Sequence, residues 1–223
     1  MMETVQVRSY DAPPVDRREI IRYMGARELT EELEALLEEC LREAERVLRY
    51  AVCWREFPVS VSGNAVDLGF AAVESVSLAK QLAGCSRAVL FAATVGLELD
   101  RLIARYSRLQ PVKALIFQGI GAERVEALCD AFCTDIRQQA QSWGKCTRPR
   151  FSPGYGDVPL TLQRDIFRVL DCSRKIGLTL SGSLLMTPTK SVTAIIGVGG
   201  GVQQPDKEKC SACKKGDCMF RNL

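Results

Sequence analysis

Histidine does not occur anywhere in the 223 residues. That gap removes every mechanism built on an imidazole. A Ser-His-Asp or Cys-His apparatus is excluded, and so is an HExxH zinc site. An axial imidazole for a haem or a corrinoid has to come from another molecule. An excess of one charge is lacking as well: 30 Lys and Arg stand against 27 Asp and Glu, a net +3. No field therefore points to nucleic acid or to an anionic membrane. The longest apolar run, AVLFAATVGL at 88–97, is about half a membrane span. The opening MMETVQVRSYDAPPVDRR carries no apolar signal core. There is no internal repeat and no βαβ alternation. These absences lead to the expectation of a soluble, cytoplasmic protein whose chemistry rests on carboxylates, arginines, tyrosines and backbone groups.

The composition is 47% hydrophobic, enough at this length for a real core. Ten cysteines are present. Most sit on apolar helix faces or in strands, where small buried thiols belong, and they read as reduced. A short helix is expected at 16–24, with Asp16 at its start, and a longer one at about 30–50 with an apolar stripe at helical spacing. Residues 51–61 are β-rich, a short helix follows near 75–83, and 86–96 reads as a buried strand. LELDRLIARYSRL is amphipathic. Pro111 opens a long helix over about 112–141. Inside it, Gly119 and Gly121 signal the close approach of another element. Residues 160–177 read as one helix stopped by Gly177, and two β-rich runs surround the Thr-Pro-Thr turn at 187–189. GVGGG at 197–201 lacks GxGxxG spacing and reads as the beginning of a hinge. Helices cluster around scattered strands, so the fold class is α+β. The domain division is 1–200 for the folded unit and 201–223 for a flexible Cys-rich tail.

RPRFSPGYGDVP at 148–159 is the stretch richest in binding chemistry. Arg150 can fork onto a carboxylate. Gly154 lets backbone approach a ligand, and Tyr155 offers a flat face with a hydroxyl tip. Ser152 and Asp157 add a hydroxyl and an acceptor. The set suits a zwitterionic ligand with an aromatic part. The plainer alternative is an ordered connection whose arginine pairs with a surface acid. Glu126, on the apolar part of the long helix, is either paired with a neighbour such as Arg124 or Arg137 or functional. In the tail, Cys210, Cys213 and Cys218 are spaced for zinc or an iron–sulfur cluster, one ligand short of a closed site. Cys146, Cys172 or a partner can complete it. A reduced tail or an adventitious disulfide is the other reading.

RFSPGYGDVP resembles the RxxxGY loop of the activation domain of cobalamin-dependent methionine synthase, and LTLSGSLLMTPTKSVTAIIG resembles a later segment of that domain. GAERVEALCDAF is similar to its long helix, and RREIIRYMGAR and LFAATVGLELDRLI are similar to stand-alone versions. The resemblance covers roughly residues 16–200. It implies a single α+β domain with a mainly antiparallel sheet that binds S-adenosylmethionine. In that family the loop arginine, matched by Arg150, holds the methionine carboxylate. Ser152, Gly154 and Tyr155 match positions that line the ligand, and Glu126 matches a carboxylate facing its cationic end. The implied reaction is reductive methylation: cob(II)alamin accepts an electron and S-adenosylmethionine methylates the result. The chain has no DxHxxG motif, so the cobalamin is expected on a partner. That partner is a methionine synthase lacking its own activation domain, with a flavodoxin- or ferredoxin-type reductant. The alternative is a metal- or cluster-bearing docking module for another corrinoid methyltransferase. The chain departs from the pattern at Gly156-Asp157-Val158-Pro159, where the family has Pro-Ala-Cys-Pro followed by an acid-His pair. It departs again at GSLLM, where the family has ESFAM.

Overall fold

The computed structural model describes residues 4–201. The elements run β1 (Gln6–Tyr10), α1 (Arg17–Tyr23), α2 (Glu31–Glu45), β2 (Tyr50–Pro58), β3 (Ser60–Ser62), β4 (Ala65–Asp67), β5 (Ala72–Glu74), α3 (Val76–Leu82) and β6 (Cys85–Thr94). They continue with α4 (Leu97–Leu109), α5 (Pro111–Ser142), β7 (Cys146–Thr147), α6 (Leu162–Leu170), α7 (Cys172–Ile176), β8 (Thr179–Leu180), β9 (Met186–Thr187) and β10 (Ser191–Gly199). The expected α+β class and mainly antiparallel sheet are both present.

A five-stranded sheet in the order β1-β2-β6-β10-β7 carries the fold, and each neighbouring pair is antiparallel. Its central strand β6 explains the apolar run noted above. Val89, Phe91 and Ala93 face one core, while Ala88, Leu90 and Ala92 face another. A strand covered on both faces reads as continuously apolar instead of alternating. The first core lies under α5, with α1, α2 and α4 packed around it. The second lies under α3, α6 and α7.

Local signals set the helix ends. The Asp16 side chain accepts from the N–H groups of Arg18 and Glu19, capping α1. Pro111 starts α5, and Gly177 ends α7 in the left-handed region at φ +66°. The two glycines of α5 mark close packing. A Cβ on Gly119 would stand 2.9 Å from Met24 Cγ and 3.0 Å from the Ile20 carbonyl, so α1 crosses there. One on Gly121 would stand 2.5 Å from Leu99 and 2.7 Å from Lys190.

Two expectations need correction. The single helix over 160–177 is two helices, broken at Asp171, whose φ of +49° is left-handed. The hinge does not begin at Gly197. Residues 197–199 belong to β10 and pair with β6 and β7; a Cβ on Gly197 would lie 2.8 Å from Cys85 Sγ and one on Gly199 2.4 Å from the Gly84 carbonyl. Those glycines let β10 pass close to the start of β6.

Candidate functional site

Arg150 sits where β10 is flanked by a strand-like segment. The Arg148 N–H donates to the Gly197 carbonyl at 2.8 Å, and Phe151 and Ile195 exchange two backbone bonds at 2.9 Å. Consecutive side chains in extended backbone point to opposite faces. Phe151 accordingly packs against the second core, while Arg150 turns towards α5. There Nη2 donates to Glu126 Oε2 at 2.5 Å, and Nη1 donates to an Asp130 carboxylate oxygen and lies 3.8 Å from Cys133 Sγ. Glu126, Asp130 and Cys133 share one face of α5, three and four residues apart.

The charge balance of this cluster follows from burial. Desolvation alone would lower the Arg150 pKa, but its surroundings (Cys129, Glu126, Cys133 and Asp130) raise it on balance. The two thiols form the floor. Burial is the main cause that pushes Cys129 well above its usual range and raises Cys133 also. Both stay protonated at neutral pH, so the carboxylates are what balance the guanidinium. Tyr23, at the end of α1, is near enough that Glu126 raises its phenol, after the larger effect of burial.

The loop beyond Arg150 is a compact turn. The Gly154 N–H donates to the Val158 carbonyl at 3.0 Å, and the Tyr155 N–H to the Ser152 carbonyl at 3.2 Å. Both N–H groups are therefore spent inside the loop. Gly154 has φ +87°, which glycine adopts without penalty. Tyr155 is 67% exposed, and its ring edges onto Phe151 at a centroid distance of 6.5 Å. Asp157, expected as a ligand acceptor, caps α3 instead. It accepts from Ser75 Oγ at 2.5 Å, from Val76 N–H at 2.7 Å and from Ser77 N–H at 3.1 Å. The Ser75 bond is the largest cause holding its carboxyl below the ordinary range.

The structure thus brings Arg150 and Glu126 together and sets Ser152, Gly154 and Tyr155 in the adjoining turn. Asp130 and Tyr23 were missed by sequence reasoning. Asp130 was legible in principle, one helical turn beyond Glu126. Tyr23 depends on where α1 crosses α5. Arg124, expected as a neighbour of Glu126, is buried and pairs with Glu123 while donating to the carbonyls of Pro13 and Pro14 at 2.6 and 2.7 Å. Cys210, Cys213 and Cys218 lie outside the described residues. Of the cysteines considered as a fourth ligand, Cys172 is fully buried, whereas Cys146 is partly exposed, with its thiol 2.9 Å from the Gly201 carbonyl. Among the described residues, no group of three or more His, Cys, Asp or Glu could hold a metal ion. Among them, too, no helix is long and apolar enough to cross a membrane.

Helices on an antiparallel sheet, with a guanidinium and two carboxylates meeting beside a glycine turn, define an α+β domain with a charged surface cluster. Comparison with known proteins gives that class a family. The model for the activation domain of vitamin B12 dependent methionine synthase matches residues 78–201, and the chain belongs to that family. A crystal structure of the MetH reactivation domain bound to AdoHcy is similar in fold, with a TM-score of 0.63 at 15% identity. The match covers 90% of this chain and 80% of that one. No curated protein sequence matches the chain.

Proposed function

We propose that the chain binds S-adenosylmethionine at the junction of Arg150, Glu126 and the 152–155 turn. There it presents the methyl donor for reductive methylation of cob(II)alamin carried in trans by a methionine synthase without its own activation domain. The observation that carries this reading is the direct Arg150–Glu126 contact. A cation and an anion already side by side match the carboxylate and ammonium of an amino-acid end. The residues fit the ligand in charge, and Gly154 holds the neighbouring turn in the left-handed region. Membership of the activation-domain family and the AdoHcy bound in the similar MetH domain support the same ligand class.

S-adenosylmethionine supplies the methyl group; the residues of this chain bind and orient it. Arg150 holds the carboxylate, and the acids beside it on α5, Glu126 and Asp130, face the cationic end. Tyr155 offers an aromatic face at the rim. Cys129 and Cys133, protonated and buried, give Arg150 a floor that does not compete for its charge. No side chain of this site needs to move a proton, which suits a chain without histidine. The electron comes from a flavodoxin- or ferredoxin-type protein.

Calorimetric titration with S-adenosylmethionine tests the reading. Arg150→Ala weakens binding by about 2–4 kcal/mol, since a charged hydrogen-bonding partner is lost. Arg150→Lys restores only part, because the planar fork is gone. Unchanged affinity in Arg150→Ala would remove the site assignment.

A further inference from the structure

We infer that Asp130 is a specificity-determining residue of this site: it releases Arg150 when ligand binds and takes the ligand's α-ammonium, while Glu126 stays on the guanidinium. The inference rests on the S-adenosylmethionine reading above.

The argument begins with charge. Arg150 carries one positive charge and faces two carboxylates on different nitrogens, Glu126 on Nη2 and Asp130 on Nη1. The thiol floor is neutral, so among the described residues two carboxylates face one guanidinium. A further cation, Arg137, lies beyond Cys133, about two helical turns or ~10 Å along α5 from Asp130, where it acts weakly on the Cys133 thiol. A ligand carboxylate arriving alone at Arg150 meets two carboxylates already in place. A zwitterion brings its own cation for the carboxylate that it displaces. The cluster therefore favours amino-acid ends over simple carboxylates.

Exposure decides which acid gives way. The Asp130 side chain is 59% exposed, that of Glu126 43%, and that of Arg150 only 20%. The more exposed acid is re-solvated at least cost when it lets go, since an exposed ion pair contributes little. Nη1 loses Asp130 but keeps the Cys133 sulfur beside it. Glu126 keeps its 2.5 Å bond from Nη2 and so holds the guanidinium oriented. One acid thus holds the arginine while the other recognises the ligand.

Titrations of the whole chain test this with two probes: S-adenosylmethionine, and its analogue with hydrogen in place of the α-amino group. Asp130→Asn weakens S-adenosylmethionine by about tenfold or more, the loss of one charge-assisted contact. The same variant leaves the analogue's affinity unchanged or higher. Glu126→Gln weakens both. Asp130→Ser serves as a second variant, and thermal melting checks that each retains the fold. Equal effects of Asp130→Asn on both probes, or none on S-adenosylmethionine, overturn the inference even when Arg150→Ala abolishes binding and so upholds the site. If the wild-type chain binds neither probe, the functional reading fails and takes the inference with it.

Discussion

Asp157 accepts a hydrogen bond from the N–H of Val76, 81 residues earlier in the chain, at 2.7 Å. The contact ties the loop that carries Arg150 to the first turn of α3. It also fixes how the turn responds to acid. Hydrogen bonds from Ser75, Val76 and Ser77 lower the folded-state pKa of Asp157, with Ser75 the largest cause. A depressed carboxyl stabilises the fold above its unfolded value of about 3.9, and that contribution is lost as pH falls through the folded value. The wild-type chain is expected to lose stability below about pH 4, and Asp157→Asn to show a flatter dependence there. Urea unfolding between pH 2 and 6 makes the comparison.

Arg124 is expected to be the costliest single loss outside the ligand contacts. Its side chain and that of Glu123 are almost wholly buried. Together they hold the segment before α1: Arg124 binds two proline carbonyls and Glu123 accepts from the Asp16 N–H at 3.1 Å. Arg124→Ala strands a buried carboxylate and should destabilise the fold by about 3–5 kcal/mol. Because α1 also carries Tyr23, ligand affinity should fall with it. A stability loss below about 1 kcal/mol in urea titration would show that the pair is dispensable.

Much of this architecture is legible in the sequence, for local reasons. Helix ends follow from Asp16, Pro111 and Gly177, and Gly119 and Gly121 announce close packing before any partner is known. The loop stands out because arginine, glycine and tyrosine coincide there. What is not legible is non-local. Nothing near Asp157 says that its acceptor oxygens belong to α3. The glycines at 197–199 look like a linker until β6 is seen pressing against them. Asp130 gains meaning only when Arg150 is folded onto α5.

The tail beyond the described residues should be separable from ligand binding. Every side chain assigned to the site lies between Tyr23 and Tyr155. Removing residues 203–223, with Cys210, Cys213 and Cys218, should leave the affinity for S-adenosylmethionine unchanged within about twofold. Zinc or iron content, if the three thiolates hold a metal, should fall away with the tail. A truncated chain that no longer binds the ligand would place the tail in the site.

Anaerobic absorbance spectroscopy of a cobalamin-loaded methionine synthase lacking its activation domain tests the central claim most directly. With S-adenosylmethionine, a low-potential reductant and this chain all present, methylcobalamin should accumulate. Omitting any component should stop it, and Arg150→Ala should slow it at limiting S-adenosylmethionine. Methylcobalamin appearing at the same rate without the chain, or with Arg150→Ala in its place, would contradict the account.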